Sequence, residues 1–220
     1  MDILFFAALA FFIFFKLREQ LGKISDDEKD KISAKIKANQ EKIIEIQKQI
    51  TAVANEAIVQ QNVASEKILN ALQGPLQQTF ITILNRCNIS AEFFINGAKS
   101  AFEMIIKAFA SKDSNTLKFL LADKIYTGFE NAISTRNSQE KTLHSNLISI
   151  DKTEIISATI VENSAFVTVK ITSRQINYFT NKAEEIIEGR KDEIVELTDI
   201  WTFKKDLTAA NPNWIVSTTG

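Results

Sequence analysis

Residues 90 to 110 read SAEFFINGAKSAFEMIIKAFA. Phe94, Ala98, Ala101, Phe102, Ile105 and Phe109 fall on one side at helical spacing, with Asn96, Lys99, Ser100, Glu103 and Lys107 opposite. The stretch predicts a long amphipathic helix whose apolar stripe needs a surface to pack on. Gly97 and Ala98 are small enough to let another element come close. On the N-terminal side, Gly74-Pro75 breaks the chain before Leu76, Phe80, Ile83, Leu84 and Cys87, which share one face of a short helix. That face can pack in a core or lie on a bilayer, and both readings stay open. On the C-terminal side, Asp113 or Ser114 caps a short helix over 115–122. Asp123 caps a further one, with Ile125, Phe129 and Ile133 at i, i+4 and i+8.

After Arg136 the period drops from about 3.6 to 2. Ala165, Val167, Val169 and Ile171 alternate with Phe166, Thr168, Lys170 and Thr172, the pattern of a strand with two unlike faces. The β-branched run Glu154–Val161 reaches it through Glu162-Asn163-Ser164, which predicts a hairpin; Arg174–Tyr178 continues the strand beyond a bend. Val195, Leu197, Asp199, Trp201 and Phe203 share a parity in another strand, and Asn211-Pro212-Asn213 turns into a last one, Trp214–Thr218. Helices followed by an antiparallel meander predict an α+β domain, with the sheet curved around the long helix as a half-open cone.

These segments together resemble the Tim-forty-four-like domain family. The resemblance rests on Phe94-Ile95-Asn96-Gly97-Ala98-Lys99 through Ala108-Phe109-Ala110, on Leu120-Leu121, Tyr126 and Phe129, and on Ala165-Phe166-Val167-Thr168-Val169. Its most specific part is Asp199-Ile200-Trp201-Thr202-Phe203-Lys204-Lys205-Asp206 followed by Pro212-Asn213-Trp214. Gly97, Ala98, Phe102, Asp199, Trp201, Phe203, Pro212 and Trp214 are the motif residues it points to. The resemblance implies a nuclear-transport-factor-two-like fold. It also implies kinship with the inner-membrane subunit that tethers a DnaK-type chaperone to the mitochondrial import channel. One departure lies in 181–189, where only Gly189 of the family's turn is plainly kept.

The N-terminus says where such a domain would work. Ile3, Leu4, Phe5, Phe6, Leu9, Phe11, Phe12, Ile13, Phe14 and Phe15 belong to one uncharged run, closed by Lys16, Arg18 and Lys23. The residues before it are Met1-Asp2, and no small-x-small site follows it, so an uncleaved anchor is expected. At ~1.5 Å per residue the run spans about 20 Å of a roughly 30 Å hydrocarbon layer, with Lys16 and Arg18 snorkelling. The basic flank predicts a single pass with the N-terminus out and the body in the cytoplasm; an anchor in place of a presequence, set beside the resemblance, implies a relative of bacterial type at the inner membrane. Beyond Ser25, Ile36, Ile43, Ile50 and Ala57, and Ile32, Ile46 and Val53, mark two heptad registers interrupted by Lys29, Asn39 and Gln60. A short coiled coil that pairs two copies and a solvated helical spacer are equally open. The expected organisation is an anchor over 1–18, a helical linker over 19–73 and the α+β domain over 74–220.

The chemistry a sequence can advertise is sparse. With 26 basic and 27 acidic residues in a chain of 220, the charge balance offers no footing for nucleic acid. A single Cys (Cys87) and a single His (His144) cannot build a metal site, and no phosphate loop or triad spacing occurs. No catalytic residue, cofactor or metal is expected. Asp199, with Tyr126 or Tyr178, is the one constellation that could move protons in a cone; a structural Asp is the weightier reading. Lys99, Lys107, Lys112, Lys118 and Lys124 form a solvated face or meet anionic lipid. Together with the anchor, the resemblance implies as the expected function a non-enzymatic, membrane-anchored scaffold linked to protein transport or membrane-protein assembly. Its expected partners are membrane lipid and a translocase, an insertase or a DnaK-type chaperone. Two alternatives remain: a cone that binds a small molecule or lipid, with or without catalysis, and a secretion-system scaffold of the same fold.

Overall fold

A computed structural model describes residues 62–209, 211 and 213–220, together with Glu45 and Lys48, both helical. The segment 1–18, expected to be an anchor, its basic flank, almost all of the heptad segment, and Pro212 lie outside the described residues. Among the described residues no helix is long and apolar enough to cross a membrane. The chain divides into two compact units, Met1–Val59 and Gln60–Gly220, and the fold below is that of the second.

Five helices come first: α1 (62–70), α2 (Gly74–Cys87), α3 (Ala91–Ser111), α4 (Ser114–Leu120) and α5 (Asp123–Ser138). Their ends follow from local chemistry. Gly74 takes φ +58, a left-handed turn that glycine adopts at little cost, and Pro75 sits in the first turn of α2, where its missing N–H is not needed. Ser90 caps α3 by accepting from the Phe93 N–H at 3.0 Å. Asp113 caps α4, accepting from the Thr116 N–H at 3.1 Å and its hydroxyl at 2.6 Å. α4 ends at Leu120 rather than at 122, because Leu121 leaves the helix to bridge Val216, and the Ala122 N–H donates to the Val216 carbonyl at 2.9 Å. Asp123 is the first residue of α5 and not its cap, a position held by Ala122.

The strands are β1 (Thr142–Val161), β2 (Ser164–Thr180), β3 (Ile186–Gly189), β4 (Val195–Asp206) and β5 (Ile215–Thr219). They form one antiparallel sheet in the order β1-β2-β4-β5, with β3 pairing the far end of β2. The β1–β2 hairpin turns at Glu162-Asn163 as expected, and β2 runs unbroken to Thr180. β1 is much longer than its β-branched run. Three register shifts, at Leu147/Ser149, Ile150/Lys152 and Ile155/Ser157, bend it, so alternation along it is repeatedly reset. The β2–β3 turn is closed by Asn181, whose side-chain oxygen accepts from the Ala183 and Glu185 N–H groups at 2.9 and 3.0 Å. Gly189 ends β3 at φ +74; a Cβ there would lie 2.3 Å from the Asn177 carbonyl, so only glycine fits.

The result is the expected α+β architecture, helices on a curved antiparallel sheet, with α2 and α3 both lying on β1. Phe80, Phe102, Ile105, Leu117, Val167, Val169, Ile171, Phe203 and Val216 are fully buried between the layers. Phe102 packs on Trp201 with ring centroids 4.8 Å apart. Phe94 meets Phe80, Phe203 and Trp214 edge-on, at 5.5, 6.0 and 5.0 Å. Such tilted and edge-on aromatic pairs add to plain burial. Toward its C-terminal end, the inner face of β2 turns polar. Gln175 donates to Ser173 at 2.9 Å and Asn177 to Gln175 at 3.1 Å, which satisfies the buried Ser173 and Gln175.

Candidate functional site

α3 carries apolar side chains on more than the side it buries. Phe94, Ala98, Phe102 and Ile105 face the core, whereas Phe93 is 65% exposed and Met104 45% exposed. Phe119 of α4, 63% exposed, belongs to the same surface. Between them runs a groove of about 240 Å³ lined by Phe93, Gly97, Ala101, Met104, Phe119 and Trp214, with Ala98 and Phe203 at its floor and Asn213 its one polar side chain. No charged residue lines it among the described residues. Gly97 is the informative position: a Cβ built there meets nothing within 4 Å. Glycine in mid-helix costs ~0.5–1 kcal/mol relative to alanine, and packing of the described residues does not require it.

The far wall depends on the loop after β4. Lys205 points to the inner side, is buried, and donates its Nζ to the Asn211 carbonyl at 2.6 Å. The Asn211 side-chain oxygen accepts from the Asn213 N–H at 2.9 Å, fixing the turn that delivers Trp214 onto Phe94. The adjacent Cys87 thiol is pushed up by burial, against the nearby charges of Lys205 and Arg86, so it is a packing residue in its protonated form.

A second cavity, of about 570 Å³, opens beside α5. Ile106, Phe109, Ile125, Phe129 and Trp201 make it mainly apolar, and Asp199 and Lys124 are its ionisable side chains. Burial raises the Asp199 carboxyl above its ordinary value, and a hydrogen bond from Trp201 partly opposes that. Asp199 is therefore inward-facing and half-buried, as its parity suggested. Tyr126 and Tyr178 do not line this cavity. Tyr178 lies instead in an open cleft with His144, whose ring stacks on it at 4.5 Å and whose Nε2 is 3.1 Å from the Thr180 hydroxyl. Asp199 and the two tyrosines are thus not brought together, and His144 has a structural partner set.

The motif residues sort by position. Gly97, Ala98, Phe203 and Trp214 line the groove, Phe102 and Trp201 form the core pair, and Asp199 lies in the second cavity. Reading the sequence did not single out Phe93, Met104 and Phe119. The available signal was a second row of large apolar residues off the main stripe. Among the described residues no group of three or more His, Cys, Asp or Glu side chains could hold a metal ion.

Known proteins bear on this arrangement. An uncharacterized protein of Rickettsia prowazekii (strain Madrid E) is 24% identical over 224 residues, covering 98% of this chain and 95% of that one. The solved intermembrane space region of the chloroplast protein ARC6 aligns at a TM-score of 0.41 and 10% identity, over 57% of this chain and 94% of that one. A conserved protein from Planctomyces limnophilus DSM 3776 aligns at 0.30 and 11% identity, over 56% of this chain and 90% of that one. The model of the Tim44-like domain matches residues 86–220, more than half of the chain and the whole stretch from α3 to β5, and the chain belongs to the Tim44-like domain family.

Proposed function

We propose that this protein is a non-enzymatic scaffold, anchored in a bacterial inner membrane by residues 3–15, that docks an apolar segment of a protein partner in the groove along Gly97. The Tim44-like family is associated with membrane protein translocation and scaffolding, and the proposed role is docking of this kind in protein transport or membrane-protein assembly. The observation that carries the reading is a groove that no described residue covers: apolar walls, no charge among the described residues of its lining, and a helix glycine with no described atom near it. A groove of about 240 Å³ has room for one or two large side chains, as a helix laid along α3 would supply. Phe93 and Phe119 are aromatic anchors and Met104 an adaptable one. The absence of charge in the lining favours an apolar protein segment over a lipid headgroup. The proposal has the domain on the cytoplasmic side, and the basic flank Lys16, Arg18 and Lys23 supports that reading.

Affinity purification of the full chain from detergent-solubilised membranes tests it, beside a Phe93→Ser/Phe119→Ser double variant. The proposal expects a translocase, insertase or DnaK-type chaperone component with the wild type and its loss with the variant. Absence of all three classes from the wild-type sample would sink the transport role.

A further inference from the structure

Ile200 on β4 donates its N–H to the Gly220 carbonyl at 2.7 Å and accepts the Gly220 N–H at 2.9 Å. Both backbone groups of Ile200 therefore point away from β2. β4 runs in unbroken register with β2 from Val195 to Asp206, so the N–H and C=O of Thr198 and Glu196 point the same way. No described residue pairs with them, because β5 and Gly220 meet β4 only from Ile200 to Lys204. The other edges of the sheet are blunted. β1 is bent by three register shifts, and Leu121 and Ala122 meet β5 at Val216. Bulges and covering segments are common ways to protect an edge, and among the described residues 195–199 has neither.

The side chains of this edge differ by face. On the inward parity of β4, exposure climbs from 3% at Trp201 to 36% at Leu197 and 39% at Val195. Glu196 and Thr198 stand exposed on the outward face. The bases nearby are already engaged. Arg190 lies 3.4 Å from Asp192, and the Lys191 ammonium lies 5.5 Å from the Tyr178 ring centroid. Arg174, opposite Glu196 on β2, is held by Asp151 at 2.8 Å. Glu193 and Glu196 have no ion-pair partner among the described residues. A second copy offering the same edge would set acid beside acid, which is unfavourable across strands.

We propose that the edge at Glu196–Thr198 takes a further antiparallel strand, an extended segment of a partner protein in which basic and apolar residues alternate. Residues directly opposite across an antiparallel pair share a face. The partner residues that exchange bonds with Glu196 and Thr198 then carry the basic side chains, and the residues between them lay apolar side chains beside Val195 and Leu197. Main-chain bonds supply affinity and the alternation supplies choice. The edge shares no residue with the groove along Gly97, so the two surfaces can fail separately.

The test is fluorescence anisotropy of the full chain in a nonionic detergent, read against detergent alone, with a labelled, end-blocked seven-residue peptide of alternating Lys and Val. The proposal expects saturable binding, and none by the peptide with Glu in place of Lys. Backbone N-methylation at the Lys positions should abolish binding, whereas at the Val positions, whose N–H groups face away from β4, it should leave binding intact. Thr198→Pro removes an edge N–H from a position where a strand tolerates proline, and should weaken binding about fivefold or more. Glu196→Lys, at an exposed position, should weaken the Lys peptide about two- to fivefold and admit the Glu peptide. The methylated peptides and Glu196→Lys decide the matter even where Thr198→Pro does not fold. No saturable binding of the Lys peptide, equal binding of the Glu peptide, equal loss from both methylations, or unchanged affinities in Glu196→Lys would each overturn the proposal.

Discussion

The two flanks of α3 have similar side chains and opposite fates. On the sheet side Phe94, Ala98, Phe102 and Ile105 are each at most 4% exposed, pressed onto Phe203, Trp201 and the β2 valines. One position away, Phe93 is 65% exposed and Met104 45%, and Gly97 meets nothing among the described residues. Folding accounts for the first flank completely. Burying a large apolar side chain is worth about 1.5–3 kcal/mol, and the described domain gains little of this from Phe93 or Phe119. Single exposed apolar residues are ordinary, but a connected row of them around an open glycine marks a surface meant to be covered. The comparison separates residues that build the domain from residues it presents.

The strongest way to break it is Phe102→Ala. Phe102 is 0% exposed and packed at a tilt against Trp201, so urea unfolding should show a loss of about 3–5 kcal/mol. A loss below about 1 kcal/mol would mean the two flanks do not differ as described. The adjacent pair Ala98 and Gly97 should respond with opposite signs. Ala98→Leu overfills a buried contact and should cost about 1–3 kcal/mol, whereas Gly97→Ala meets no atom and should stabilise the domain by about 0.5–1 kcal/mol. Stability measured by the same denaturation series checks both.

A pH series sharpens the picture at the second cavity. Folding raises the Asp199 pKa, mainly through burial, so the folded state holds this proton more tightly than the unfolded chain. As pH rises through the ordinary carboxylate value, the unfolded state releases it first, and the Asp199 contribution to stability is lost by the time the folded value is passed. Asp199→Asn has no proton to lose and should flatten that part of the wild-type profile. Smallest of all should be the effect of Phe93→Ser and Phe119→Ser on stability, within about 0.5 kcal/mol each, because neither side chain is packed in the domain.

Much of the buried flank was legible in the sequence. Helical spacing marked Phe94, Ala98, Phe102 and Ile105, and strict alternation marked Ala165 to Ile171, since a strand buried on one face and a helix on one stripe each impose their own period. β1 was only half legible. Its three register shifts insert residues that reset the alternation, so Thr142 to Thr153 carries no continuous period. The premature end of α4 depends on Val216, almost a hundred residues away, which no local rule reports. The groove was visible only as the pair Gly97 and Ala98. Helical spacing put Phe94 on the buried stripe and left Phe93 off it, but nothing local says that Phe93, Met104 and Phe119 meet along one groove; the packing of α4 against α3 decides that. Arg136 stood out in the sequence only as the residue after which the period changes, and its burial comes from the packing of α5 against Phe109.

The central claim is that the outer flank of α3 is a docking surface, and site-specific photo-crosslinking of the full chain in native membranes tests it most directly. A photoreactive phenylalanine analogue would replace Phe93, Phe119 or, as a control, the exposed Lys152 on β1. The account predicts a discrete protein adduct at positions 93 and 119, absent at 152 and abolished when Gly97→Trp fills the groove. Adducts of equal yield at all three positions, or none at 93 and 119, would contradict it.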